Sequence, residues 1–488
     1  MESSSHNNSK RALKQVWNYI YNASYQLLVI ASALVTTPFL ARSLGPGALG
    51  IYGYIVSVAA IVQTITLLSL YTYGCRQIAY CRDTPSEVNR VFWELFYLRL
   101  LLGFIGSVIY FIFAELSQYK ILFAIYYPWI IANIIDVTWL FIGHEDMKIV
   151  VFKNIVVKVL CVVCIFVFVG NGGGLLAYLI IMSVNTLLGN LAVYPQLKQY
   201  VGKPDVSPGF VFRDFKGALK LFIPEVTPTL THRINHLTMG QVLNTEDDIA
   251  FYDQGEKIVN IPSSLVTAMN SVVMPRIAND HAQQRSRSVE EYVIWAGSAA
   301  LMIAIPLSVG VASVAERLVP WFFGPGYDRV VPVIQLMSPV IVVDSLIGTI
   351  GSQFLTATDG ARALNFSNGI GLVINVVLNL LLIPTTGCVG AVLSTVLARV
   401  TILVIQFLAT YKSLDYIRIG QSALRYGAAS FAMAITIAIV GKLVTGNIIC
   451  TAIQIVVGCM TYTAILYGFR DPILRMLLKV LGHKEAVS

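Results

Sequence analysis

Three charges crowd into five positions of an otherwise apolar stretch: Asp253, Glu256 and Lys257 within "FYDQGEKIVNIP", which begins at Phe251. Asp253 and Lys257 are four residues apart, a spacing that pairs them on one helix face. Arg233 and His236 lie shortly upstream, and Glu225 sits deeper in the preceding apolar run. Two chemistries are open to this set. Arg233 with Glu256 and Lys257 with Asp253 would form pairs that hold helices together. Alternatively, one cation stays available to an anionic substrate, because an ionisable side chain inside a membrane normally faces a partner or a wet cavity.

A second set places one charge on each of five apolar stretches: Arg99, Asp136, Lys158, Asp344 and Arg399. Arg99 and Asp136 are expected at similar depth and read as a structural pair. Arg399 reads as a cavity cation with Asp344 as its counter-ion. Arg42 and Arg76 close the first two stretches, either as snorkelling anchors or as gates that touch phosphate at the two mouths. Enzyme signatures do not occur: the chain has no Walker loop, no HExxH and no GxSxG. Cys161 and Cys164 form a CxxC inside "VLCVVCIFVFV", where apolar filler is the expected role rather than a metal or redox pair.

The elements that position these charges must be membrane helices. Apolar residues make up 56% of the 488 and charged residues only 12%, with a mean hydropathy of +0.71. A soluble chain would carry about twice that charge. Spans of about 20 residues recur about 14 times, joined by short connections with no room for a soluble domain. The polar N-terminus is read without a signal peptide.

Lys and Arg fix the orientation. With the N-terminus inside, the basic residues concentrate in cytoplasmic segments: Lys10, Arg11 and Lys14 at the start, Lys198, Lys203, Arg213, Lys216 and Lys220 midway, Arg276, Arg285 and Arg287 after the eighth span, and Arg470, Arg475, Lys479 and Lys484 at the end. External segments hold only Arg42, Lys120, Arg317, Arg329 and Lys442. Both termini are therefore expected in the cytoplasm. The net charge of +8 is an orientation signal, and no nucleic-acid partner is needed to explain it.

The chain also echoes itself about 200 residues apart. "LGIYGYIVSVAAI" from Leu49 aligns with "IAFYDQGEKIVNI" from Ile249, each after a helix with an interior proline: Pro38 in one, Pro224 and Pro228 in the other. "GNGGGLLAYLI" and "TTGCVGAVLS" each put glycines in the outer turn between the fifth and sixth spans of a half. The expected fold is an all-α polytopic membrane protein with two six-helix lobes related as a parallel repeat, 1–205 and 206–412. Two extra helices and a cytoplasmic tail follow, 413–488. Two such bundles flanking a cavity are a transporter architecture.

Nearly the whole chain, in order, resembles the bacterial polysaccharide flippases of the multidrug/oligosaccharidyl-lipid/polysaccharide exporter superfamily. The resemblance is carried by "YNASYQLLVIASALVTTPFLARSLGPGALGIYGY", "YGCRQIAYCRD", "FWELFYLRLLL", "DVTWLFIGHEDMK", "FIPEV", "AFYDQGEKIVNIPSSLVTAMNSVVMPRIAN" and "ATDGARALNFSNGIGLVINVVLNLLLIPTTGCVGAVLS". It implies a V-shaped pair of lobes in the bacterial cytoplasmic membrane. It also implies alternating-access transfer of undecaprenyl-diphosphate-linked oligosaccharide from the inner to the outer leaflet, for exopolysaccharide, capsule or O-antigen synthesis. A polysaccharide polymerase and export machinery are the partners such a role implies.

By motif, the diphosphate-binding cations map onto Arg42, Arg76 and Lys257, with Arg233 and Arg399 as further candidates. Glu225, Asp253, Glu256 and Asp344 are counter-charges or ion-coupling groups. No cofactor is expected, and coupling to Na⁺ or H⁺ stays open. One departure matters: relatives often carry an Asp-Lys pair where this chain has Asn235-His236, so either Arg233 replaces that cation or the site differs. The rival reading is a cation-coupled drug or metabolite antiporter of the same superfamily.

Overall fold

Glycine breaks and polar turns together divide this chain into helices. The computed structural model describes the backbone of residues 2–243, 245–282, 286–358 and 360–475. Side chains are described from residue 24 onward within those ranges, except 27, 223, 224, 228, 265, 267–282, 286–288 and 352. Pro224, Pro228, Lys10, Arg11, Lys14, Arg276, Arg285, Arg287, Lys479 and Lys484 thus lie outside the described side chains. Among the described residues all regular structure is helical. Two compact units emerge, Met1–Leu237 and Thr238–Ser488, and each is described by itself. That division follows packing and falls inside a helix; the lobes inferred from the repeat remain a proposal.

In the first unit, α1 (Glu2–Leu67) is broken at Gly45, whose φ of 75° and ψ of 172° no helix contains. Pro46 follows at once and restarts the helix, the position proline favours. Next come α2 (Leu70–Cys81), α3 (Pro85–Leu116), α4 (Lys120–Ile134), α5 (Thr138–Gly143) and α6 (Met147–Cys164). A π-helical segment, Ile165–Gly173, leads to α7 (Gly174–Leu191), the short α8 (Tyr194–Leu197) and α9 (Phe210–Val242). Small residues let these helices approach closely. A Cβ at Gly74 would stand 2.7 Å from the Trp139 ring, and one at Gly103 2.6 Å from Ile134. Phe92 stacks on Trp139 at 5.5 Å between centroids, which ties α3 to α5.

The segment before α9 is strapped along α3. Asn89 donates to the Lys203 carbonyl (2.9 Å) and accepts from the Gly202 amide (2.8 Å). Trp93 Nε1 donates to the Gly202 carbonyl at 3.1 Å, and Arg90 pairs with Asp205 at 3.6 Å. Tyr200 Oη donates to Asp146 at 2.7 Å. Burial first, and then that carboxylate, push the Tyr200 phenol up to about 12.

The second unit contains α10 (Asp247–Ala282), α11 (Ser286–Phe322), α12 (Val330–Met337) and α13 (Val340–Ile347). A second π-helical segment, Gly348–Leu355, precedes α14 (Ala361–Thr386), α15 (Cys388–Thr410), α16 (Tyr416–Leu443) and α17 (Asn447–Gly468). The last two helices pack on α11. Tyr462 Oη donates to the Met302 carbonyl at 2.6 Å, and Arg317 Nη2 to the Gly441 carbonyl at 2.6 Å. The turn between α14 and α15 rests on Gly387, φ 62°, and the turn before α7 on Gly172 and Gly174, φ 88° and 59°. Both echoing glycine clusters therefore reverse the chain where only glycine adopts the backbone readily.

Ten helical stretches among the described residues are long and apolar enough to cross a membrane. Two of them, Ser24–Leu67 and Met147–Leu197, contain the breaks at Gly45 and Gly172–Gly174. The charge-bearing α9 and α10 fall outside that set. Phe104, Phe152, Leu381, Phe431 and Ile449 are among the many large apolar side chains left exposed, as a lipid-facing surface requires.

Candidate functional site

The α10 helix opens with Asp247 and Asp248, acids that suit the positive end of the helix dipole. Further along the same helix, the Lys257 Nζ lies 2.6 Å from the Asp253 Oδ2. The lysine side chain is 48% exposed and the carboxylate 19%. Glu256 is half-buried beside them. Asp248 pairs elsewhere, with Arg329 at 2.9 Å.

The other candidate pair of this unit joins α13 to α15. Arg399 Nε lies 3.5 Å from Asp344 Oδ1, a charge contact without a hydrogen bond, with side chains 17% and 34% exposed. Asp344 sits one turn before the π-helical segment Gly348–Leu355, a helix irregularity that often marks functional positions.

In the first unit, Arg42 and Arg76 are both exposed, and Arg76 Nη2 reaches Tyr80 Oη at 3.3 Å. Glu225 on α9 accepts from Thr72 Oγ1 at 2.8 Å. Arg233 is half-buried on the same helix, within electrostatic range of the Tyr126 hydroxyl. Lys257 with Asp253, and Arg399 with Asp344, are thus brought together as expected of their spacing and depth.

One expected pair does not form. Arg99 is buried, but its Nε and Nη2 donate to the backbone carbonyls of Asn133 and Ile134, at 2.6–3.2 Å. Asp136 instead accepts from the Thr138 amide and hydroxyl, at 2.9 and 2.7 Å. The cause is the end of α4 at Ile134, which leaves carbonyls without intrahelical donors. The guanidinium takes those carbonyls, and the carboxylate caps the restart of the chain.

Sequence reasoning also passed over a network at the foot of α9. Arg213 is hydrogen-bonded to Glu94, which is 1% exposed, and to Asp214. Asp214 in turn accepts from Tyr73 Oη at 3.2 Å. The hydrogen bond to Asp214 is the largest of the influences that raise the Arg213 guanidinium above its ordinary value. An acid inside the apolar run "FWELFYLRL" was the available signal.

The model of the polysaccharide biosynthesis protein family matches residues 16–281, more than half of the chain. This chain belongs to the polysaccharide biosynthesis protein family. Within that family it is similar to a putative O-antigen transporter of Escherichia coli (strain K12), 23% identical over 362 residues, which span 72% of this chain and 85% of the relative. A solved structure of the lipid II flippase MurJ in an inward closed conformation superposes with a TM-score of 0.74 at 15% identity, covering 94% of this chain and all of that one. An inward-facing multidrug resistance MATE family transporter of the MOP superfamily superposes with a TM-score of 0.62 at 16% identity, over 82% and 95% of the two chains. Its long apolar helices make this polysaccharide biosynthesis protein a multi-pass membrane protein, and its relatives are named as transporters rather than enzymes.

Proposed function

We propose that the protein flips a lipid-linked oligosaccharide, held by an undecaprenyl diphosphate, from the inner to the outer leaflet of the cytoplasmic membrane by alternating access. Family membership supports transport for polysaccharide synthesis. The observation that carries the anionic cargo is Lys257, whose charge is neutralised on one side by Asp253 and half-exposed on the other. Lysine is a point-charge binder of phosphate oxygens. Arg42, Arg76 and Arg233 of the first unit and Arg399 of the second are the further candidate cations, and Glu225, Asp253, Glu256 and Asp344 are the candidate counter-charges or groups that couple transport to Na⁺ or H⁺.

The same proposal has fourteen crossings and both termini in the cytoplasm. It counts two rods in each broken stretch and adds α9 and α10 to the ten apolar ones. Downstream, the flipped unit passes to a polymerase and export machinery.

The fold is shared with a MATE transporter, so fold alone does not choose the cargo. The deciding experiment follows lipid-linked oligosaccharide transfer in proteoliposomes for the wild type, Lys257→Ala and Arg233→Ala. Transfer by the wild type and its loss in a folded variant support the proposal. No transfer of the lipid, with export of organic cations instead, selects the antiporter reading.

A further inference from the structure

Arg99 is the charge that the proposed diphosphate site does not use. It is 4% exposed, and two of its three nitrogens are held by the carbonyls at the end of α4. The third, Nη1, has no hydrogen-bond partner among the described residues. A buried donor left unmade is costly, and such an atom in a native fold calls for a ligand or a water.

Arg99 lines an open cavity of about 240 Å³ bordered by α1, α2, α3, α4 and α9 within the first unit. Gln63, Thr64, Trp129, Glu225 and Thr229 also line it. The space is smaller than the roughly 300–1,000 Å³ of pockets that take drug-sized ligands, so it admits one ring-sized group. Its chemistry narrows the choice. Two threonine hydroxyls, an amide, a guanidinium and a carboxylate disfavour an apolar chain. Glu225 disfavours a bare phosphate. A group with hydroxyls that both donate and accept satisfies the set: Glu225 and Gln63 Oε1 accept, and Arg99 donates. Trp129 supplies an apolar face of the kind that packs against the ring carbons of a sugar.

We propose that this cavity is a monosaccharide subsite, which receives one pyranose ring of the cargo while the diphosphate is held by the cations named above. The assignment rests on the lipid-linked oligosaccharide reading and identifies the part of the protein that senses the glycan. Arg99 and Glu225 are its charged groups, and Thr64 and Trp129 line it beside them.

The test measures binding to the full-length protein in phosphatidylglycerol nanodiscs. The probes are farnesyl diphosphate and farnesyl diphosphate linked to glucose, galactose or N-acetylglucosamine. At least one sugar-bearing probe should bind the wild type about tenfold more tightly than farnesyl diphosphate, the gain expected from one good hydrogen bond to a charged group. Thr64→Phe should remove that increment and leave farnesyl diphosphate binding unchanged, and Glu225→Gln should remove the increment measured against farnesyl diphosphate on the same variant. Arg99 also holds the end of α4, so Arg99→Gln is read only alongside Thr64→Phe, which fills the cavity and removes no bond to the backbone. Equal binding of all probes by the wild type, or an increment that survives in both Glu225→Gln and Thr64→Phe, overturns the subsite and leaves the flippase reading standing. Failure of every probe, farnesyl diphosphate included, overturns the flippase reading and the subsite with it.

Discussion

Lys257 follows Asp253 by one helical turn on α10, its Nζ 2.6 Å from the Asp253 Oδ2, and keeps about half of its side-chain surface exposed while the carboxylate is largely covered. The pair is therefore one-sided: the acid is committed and the base is half-presented. Removing the cation and removing its counter-charge should have opposite effects on an anionic cargo. We expect Lys257→Ala to lower the initial rate of lipid-linked oligosaccharide transfer by about tenfold or more, equivalent to about 1.4 kcal/mol of lost interaction. Asp253→Asn should tighten binding of farnesyl diphosphate. Initial rates in proteoliposomes and titration of the diphosphate probe check both.

The contact between Arg399 and Asp344 makes a different demand. Either charge alone would be stranded in α15 or α13. Arg399→Leu should destabilise the protein by about 1–3 kcal/mol, below the range for fully buried pairs because the carboxylate is a third exposed. Combining it with Asp344→Leu should recover most of that loss. Thermal unfolding in detergent distinguishes the two; a double variant no more stable than the single one would show that the pair is not coupled.

Gly74 has no spare room against Trp139, where an added Cβ would stand 2.7 Å from the ring. Gly74→Ala should cost about 1–3 kcal/mol through overpacking of α2 on α5. Gly427 faces open space in the same respect, so Gly427→Ala serves as the helix control and should be neutral or stabilising.

The strap before α9 depends on Asn89, which both donates to Lys203 and accepts from Gly202. Asn89→Ala should raise hydrogen exchange in the peptide covering 198–209 by roughly thirtyfold, as two bonds worth about 1 kcal/mol each are lost. Unchanged exchange would mean that Trp93 and Arg90 suffice to hold the strap.

Transfer of a diphosphate outward should also respond to voltage. An inside-negative potential favours outward movement of anions by about 2.3 kcal/mol per charge per 100 mV. A potassium–valinomycin gradient of that polarity should accelerate transfer in proteoliposomes, and the opposite polarity should slow it. Insensitivity to both would point to movement coupled to a compensating cation.

Much of this arrangement was legible in the sequence. The Asp253–Lys257 pair follows from helical spacing alone. Arg399 and Asp344 were matched by depth, since few charges share a membrane level and each seeks a partner. The glycine clusters at 172–174 and 387 announced chain reversals because their conformations are closed to other residues. Arg99 shows what was not legible. Its depth suggested Asp136, but the outcome was decided by where α4 stops, and an end that bares carbonyls has no signature in residue type. The Arg99 cavity and the Glu94–Arg213 contact were hidden for a related reason: both join residues more than 100 positions apart, and only packing brings them together.

That separation has a consequence for synthesis. Glu94 is 1% exposed and its partner Arg213 comes 119 residues later. At about 5–20 residues per second, the acid waits on the order of ten seconds before its arginine has been made. Until then Glu94 must stay at the membrane surface or be sheltered by another component of the insertion machinery. The strap and the foot of α9 are thus the step in time that releases the nascent N-terminal helices from guardianship.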